Sequence, residues 1–184
     1  MRFDSRERLD TWQIGGGFPA IHNDIVTAAI VYVRGRRVLD LGCSYGLLGA
    51  RLIAAEAAEF VVGVERDAEI VRQARDAGVP ITFAVFAVNR STMPALEALV
   101  LVHKLDVLVA RRVLPELFGE DLELGRDFAR AIAGAGISEM LIEGRVATRN
   151  AKNALATVDQ EVALLDSSYK EARRVGAVSY LVRR

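Results

Sequence analysis

Apolar residues along this chain fall into two alternating patterns. Short runs that are apolar at nearly every position read as strands: RRVLDL (36–41), FVVGVE (60–65), ITFAVFAV (81–88), LDVLVA (105–110) and EMLIEG (139–144). Strands with so little polar alternation are buried on both faces, as parallel strands between two helix layers are. Helical stretches lie around and between them, over roughly 21–33, 46–57, 67–77, 91–102, 115–134 and 150–166. Gly78-Val79-Pro80 and Gly134-Ala135-Gly136 punctuate two helix-to-strand returns. The final YKEARRVGAVSYLVRR predicts a hairpin turning near Gly176, with AVSYLV its clearer strand. Repeated β-α units of this size predict an α/β fold, a doubly wound, mostly parallel sheet of the seven-stranded type with helices on both faces.

The composition fits one such domain over 1–184, with 1–24 as an N-terminal arm or flap. The chain is 52% hydrophobic and its 24 basic and 24 acidic residues cancel, which excludes disorder and an overall electrostatic footprint for duplex nucleic acid. Nearly all basic charge is arginine, so local patches able to contact RNA stay open. Cys43 is the only cysteine, so no intrachain disulfide forms and no metal site is expected. No apolar run reaches the ~18 residues of a membrane span and Met1-Arg2-Phe3-Asp4 starts no signal peptide, so the expectation is a soluble, cytoplasmic protein.

Candidate chemistry begins at VLDLGCSYGLLGARL (38–52), where a strand ends in an acid, a glycine-bearing turn follows and a helix starts. In an open parallel sheet such a turn lies beside the ligand crevice beyond the strand carboxyl ends. Its glycines permit positive φ or close backbone approach. A dinucleotide fingerprint needs a second glycine where Ser44 stands, and the G-K-[ST] ending of a phosphate loop is absent. Asp40 at the mouth would repel a pyrophosphate and suits an ammonium group. Glu65 ends the next strand, from which a carboxylate takes both hydroxyls of a ribose. A ligand with a ribose, no phosphate and a cationic or zwitterionic tail fits, and S-adenosylmethionine has all three features.

VLDLGCSYGLLG followed by VVGVERD resembles the cofactor motifs of class I S-adenosylmethionine-dependent methyltransferases, the likeness running from about residue 36 to 145. The resemblance implies that Asp40, Gly42, Cys43, Ser44 and Gly46 hold the methionine part of the cofactor. It implies that Glu65, with Arg66 beside it, holds the ribose. Asn89 then matches the position near the adenine amino group. LDVLVARRVLPEL resembles the fourth strand and following helix, which border cofactor and substrate, bringing in Arg111. Tyr45 either flanks the cofactor or packs beneath the loop.

Displacing a methyl group from a sulfonium needs alignment and a dry site more than an acid, and a base only where the nucleophile carries a proton. The acceptor side must therefore be read from the strand ends. Arg111, Arg112 and Glu116 follow the fourth strand, Glu143 and Arg145 the fifth. Two arginines suit an anion by bidentate pairing, while Glu116 or Glu143 can orient an amine or accept a proton. The alternative is that these five residues pair among themselves. Strand alternation predicts that only one of Arg111 and Arg112 faces the cleft. WQIGGGFPAIHND (12–24) reads as a flap carrying Trp12, Phe18 and His22 toward the substrate, or as an arm packed on the domain or on a second subunit of a homo-oligomer. Catalytic candidates are thus Glu116, Glu143, Arg111 and His22, while His103 is expected to be solvated.

The absence of a D/N-P-P-aromatic motif speaks against DNA amino methylation, and Cys43 inside the loop speaks against cytosine C5 chemistry. Arginine where acids would cluster speaks against metal-assisted O-methylation. The expected function is methyl transfer to a small molecule, with RNA or protein acceptors not excluded. A methyltransferase-like fold kept as a non-catalytic binding or assembly module is the alternative. An NAD-dependent oxidoreductase lacks its glycine at Ser44 and any Tyr-x-x-x-Lys pair.

Overall fold

The computed structural model describes residues 23–146, 155 and 157–184. Trp12, Phe18 and His22, and the arm expected over 1–24 apart from its last two residues, lie outside the described residues. So do 147–154 and 156, of which 150–154 and 156 fall within the helix expected over 150–166.

The elements in chain order are α1 (Asn23–Tyr32), β1 (Arg36–Leu41), α2 (Leu47–Ala54), β2 (Ala58–Glu65), α3 (Ala68–Asp76), β3 (Thr82–Val85) and α4 (Met93–His103). They continue as β4 (Val107–Arg111), α5 (Leu114–Phe118), α6 (Leu122–Ala135), β5 (Glu139–Glu143), α7 (Val158–Leu165), β6 (Tyr169–Val175) and β7 (Val178–Arg183). Seven strands form one sheet in the order β3-β2-β1-β4-β5-β7-β6, parallel from β3 to β5 and antiparallel where β7 joins β5 and β6. Chain direction along the sheet reverses between β1 and β4, which is where an open α/β sheet places its ligand crevice.

Period-two alternation divides the strand side chains between two helix layers. Leu39, Leu41, Val62, Val64, Leu108, Ala110, Met140 and Ile142 pack with α4, α5, α6 and α7, around the tilted Phe118–Phe128 ring pair at 5.0 Å. Val38, Val61, Val107, Val109 and Leu141 pack on the other face with Ile25, Val26 and Ala29 of α1 and Leu48 and Leu52 of α2. A smaller cluster joins Ile70, Val71 and Ala74 of α3 to Cys43, Tyr45 and Phe83. The doubly wound arrangement thus follows directly from strands that are apolar on both sides.

Several boundaries differ from the sequence reading, each for a local reason. The eight-residue third strand expected over 81–88 is cut to four, because β3 is an edge strand that pairs only with β2. The single helix expected over 115–134 is two, because the Asp121 side chain accepts from the Leu124 amide and starts α6 afresh. At the C-terminus both strands of the expected hairpin form, and Gly176 sits in its turn at φ 58°. Lys170, Glu171 and Arg173 on β6 are exposed and charged, which blunts that sheet edge against further strand pairing. His103 is half-buried instead of solvated: its ring stacks on Phe60 with centroids 5.5 Å apart, and its carbonyl accepts from Arg37 Nε at 2.7 Å.

Tyr169 ties this hairpin to the parallel part of the molecule. Its side chain is fully buried and its hydroxyl donates to the Ile137 carbonyl at 2.9 Å. Tyr169→Phe strands that carbonyl while keeping the ring, so a loss of about 1–2 kcal/mol is expected in denaturant unfolding. Among the described residues no helix is long and apolar enough to cross a membrane.

Candidate functional site

The loop after β1 is shaped by what lies beneath it. Gly42, Ser44 and Gly46 all take positive φ, at 67°, 51° and 73°. A Cβ on Gly42 would stand 2.4 Å from Val113 Cγ2, and one on Gly46 would stand 2.5 Å from Ile81 Cδ1 and 2.8 Å from Phe83 Cζ. The glycines therefore serve a left-handed backbone and close packing onto neighbouring elements. Gly63 of β2 leaves the space that the Cys43 side chain fills. Cys43 is buried, and burial beside Asp40 and Glu65 pushes its thiol well up, so it contributes backbone and packing to this loop. Tyr45 packs beneath the loop with Ile70, Val71 and Ala74, its hydroxyl 3.3 Å from Gln73 Oε1.

Asp40 sits on β1 facing α2, only 3% exposed. Burial lifts its carboxyl to about 7; the Gly49 amide in the first turn of α2 pulls it partly down, and the Glu65 charge adds to the rise. Its Oδ2 is buried and makes no hydrogen bond among the described residues, and the same holds for Ser44 Oγ. A cavity of about 380 Å³, open mouth included, is lined by Asp40, Gly42 to Tyr45, Leu47, Leu48 and Arg111. It lies at the β1–β4 reversal, where Leu41 pairs with Ala110 and Arg111 follows. The cavity lining thus combines a buried carboxyl with one unpartnered oxygen and a guanidinium, beside Leu47 and Leu48.

Glu65 is tied into the same loop. Its Oε2 accepts from Ser44 N at 3.0 Å, while Oε1 accepts from Arg66 N at 2.9 Å and Asp67 N at 3.1 Å. A carboxylate offers about four lone-pair positions, so three are filled and one stays open. Taking both ribose hydroxyls, as the sequence reading has it, requires the Ser44 amide to let go. The Arg66 side chain is exposed, and only its backbone enters this arrangement. Asn89 does not face the cavity wall: its Oδ1 accepts from Ser91 N, Ser91 Oγ and Thr92 N, organising the start of α4. Arg90 beside it pairs with Asp121 and Asp127.

At the ends of β4 and β5, Arg111 lines the cavity and Arg112 does not, yet both arginines meet on one carboxylate. Arg111 and Glu143 are register partners, and Arg111 Nε lies 3.3 Å from Glu143 Oε2. Arg112 adopts φ 52°, a left-handed conformation unusual for a side-chain-bearing residue. That twist brings its guanidinium to the other oxygen, with Nη2 3.2 Å from Glu143 Oε1, while its own amide donates to the Glu143 carbonyl at 2.7 Å. Both arginines therefore converge on one carboxylate that is 2% exposed. Burial and the Arg112 charge lower Arg111 to about 10, against the pull of Glu143; burial raises Glu143 despite both arginines. Of the five residues grouped by sequence, Glu116 is exposed on α5 and takes no part in this cluster, and Arg145 is exposed after β5.

Glu161 was not singled out by motif. It is 1% exposed on α7, its Oε2 makes no hydrogen bond, and burial lifts its carboxyl to about 7 against the fields of Arg145 and Arg112, with the Glu143 charge adding to the rise. The signal was present: Val158, Glu161, Leu164 and Leu165 form the buried stripe of α7, so a glutamate stands at an apolar position.

No protein-family model matches the chain, and no curated protein matches it in sequence. In three dimensions it is similar to a TehB-like SAM-dependent methyltransferase from Corynebacterium glutamicum, at 14% identity and TM-score 0.64, covering 97% of this chain and 96% of that one. It is similar to the N-methyltransferase NodS from Bradyrhizobium japonicum, solved with S-adenosylhomocysteine, at 16% identity and TM-score 0.66, covering 98% and 91%. It is also similar to WbdD, at 18% identity and TM-score 0.61, where 98% of this chain spans 41% of that chain. The chain has the class I methyltransferase fold. At these identities the likeness concerns the fold alone.

Proposed function

We propose that the protein is an S-adenosylmethionine-dependent methyltransferase acting on a small-molecule acceptor, with RNA or protein as the broader alternatives. The observation that carries this reading is the cavity at the β1–β4 reversal, whose lining includes both Asp40, buried and with one oxygen unpartnered among the described residues, and Arg111. A carboxyl and a guanidinium lining one cavity match a zwitterionic aminoacyl tail. The company of solved SAM-dependent methyltransferases, one of them holding S-adenosylhomocysteine, supports the same cofactor.

When bound, the cofactor supplies an electrophilic methyl on a sulfonium whose leaving group is a neutral thioether. Asp40 takes the ammonium, and Arg111, held by Glu143, takes the carboxylate of the tail. Glu65 accepts from a ribose hydroxyl at its open lone pair. Leu47 and Leu48 dry the cavity wall, which strengthens each of these contacts. Asn89 is spent on the start of α4, so adenine recognition is left to other groups of the cleft.

Calorimetric titration of the whole chain with S-adenosylhomocysteine tests this. Saturable binding with one site per chain is the expected result; no binding by the unmodified protein overturns the reading. Binding without turnover over broad acceptor pools would favour a non-catalytic module.

A further inference from the structure

The cluster beyond β4 and β5 has more charge than the cofactor tail needs. Arg111 turns to the cofactor cavity, whereas Arg112 stands on the far oxygen of Glu143 with its side chain 35% exposed. A non-glycine residue held left-handed is strained, and here that conformation directs a second guanidinium to a carboxylate that already has one. Arg112 Nε is buried and makes no hydrogen bond. Across the end of β5 lies Glu161, brought close because Gly144 has no Cβ: one built there would meet Glu161 Oε1 and Val158 Cα, each at 2.8 Å.

We propose that Arg112 and Glu161 form an anchoring subsite for an anionic group of the methyl acceptor, a carboxylate or a phosphate, with Glu143 as the post shared with the cofactor subsite. The inference rests on the methyltransferase reading for the identity of its ligand as acceptor. The charge balance selects an anion. Three guanidiniums, Arg111, Arg112 and Arg145, act on Glu143 and Glu161, and a cation would have to approach all three. Asp24 at the start of α1 adds one further, exposed negative charge near Glu143. Glu161 is held protonated up to about pH 7 by its burial, so its unpartnered oxygen offers an O–H donor rather than a repelling charge. An anion would receive hydrogen bonds from Arg112 and from that O–H together, satisfying two buried groups that have no other partner among the described residues.

The test uses the full chain saturated with S-adenosylhomocysteine, titrated at constant ionic strength with inorganic phosphate and, separately, acetate. Saturable millimolar binding of at least one is expected, the tighter anion naming the acceptor's group. Arg112→Gln is expected to weaken it at least tenfold, a larger loss than the same variant causes in S-adenosylhomocysteine affinity through the shared Glu143. Acetate affinity of the unmodified protein should fall between pH 6 and 8 as Glu161 ionises among Arg112, Arg145 and Glu143. Glu161→Gln, which keeps an N–H donor, should bind acetate with no such pH dependence. Absence of saturable binding by both anions, or equal binding by Arg112→Gln, overturns the proposal. Failure of S-adenosylhomocysteine to bind strikes the cofactor reading instead, and the anion titration without it still decides this one.

Discussion

Glu65→Ala is expected to weaken S-adenosylhomocysteine binding by roughly a hundredfold, about 3 kcal/mol. The size comes from two losses at once. The variant removes an acceptor for the ribose, and it orphans the amides of Ser44, Arg66 and Asp67, all of which end on this carboxylate. The Ser44 amide belongs to a residue held at φ 51° in the loop that lines the cavity. Losing its partner loosens the aminoacyl subsite as well as the ribose subsite. Glu65→Gln should rescue little, because its amide N–H₂ must face at least one backbone N–H and cannot accept from it. Calorimetry of both variants, with thermal melts of the unliganded proteins alongside, separates binding from folding. A change in Kd below threefold for Glu65→Ala would remove this residue from the cofactor site.

The fold and the glycine loop after β1 were legible in the sequence because the signals there are local. Strands buried on both faces leave an unbroken apolar run, and β1 spans 36–41 as read. A loop needing left-handed backbone advertises itself through glycine, although the reason for Gly42 and Gly46 lies in Val113, Ile81 and Phe83, which are remote in sequence. Arg112 shows where local rules end. Alternation foretells that one arginine turns to the cavity and the other does not; it does not foretell that a left-handed residue after β4 lets both pair with Glu143. No residue type at that position announces the change. The Asx turn at Asn89 was not legible for a related reason: an amide two residues before a serine can serve a cleft or a turn, and composition does not choose between them. Glu161 could have been found by asking which charge falls on a buried helical stripe.

The second large effect concerns Asp40, and its sign separates stability from function. In the folded chain this carboxyl keeps its proton to about pH 7, against an ordinary value of 3.8. Between those values the unfolded chain binds fewer protons than the folded one, so stability falls as pH rises from about 4 to 7. The penalty at and above pH 7 is on the order of 4 kcal/mol for a shift of this size. Asp40→Asn keeps the shape and discards the charge. The unliganded variant is therefore expected to be more stable at pH 8, by roughly 2–4 kcal/mol, and to lose the fall in stability between pH 4 and 7. Binding runs the other way. An ammonium placed against Asp40 favours the ionised form, so binding by the unmodified protein releases a proton below pH 7. Its affinity for S-adenosylhomocysteine should rise with pH, at most tenfold per unit, and level off above about 7. Asp40→Asn should show a flat profile and, at pH 8, roughly hundredfold weaker binding, about 3 kcal/mol for an ionic hydrogen bond lost in a dry cavity. Denaturant curves and titrations across pH 5–8 measure both. A variant no more stable than its parent and binding within threefold of it would mean that Asp40 is neither strained by burial nor aimed at the ligand. A buried acid that destabilises its own fold until a cation arrives is otherwise hard to account for by packing alone.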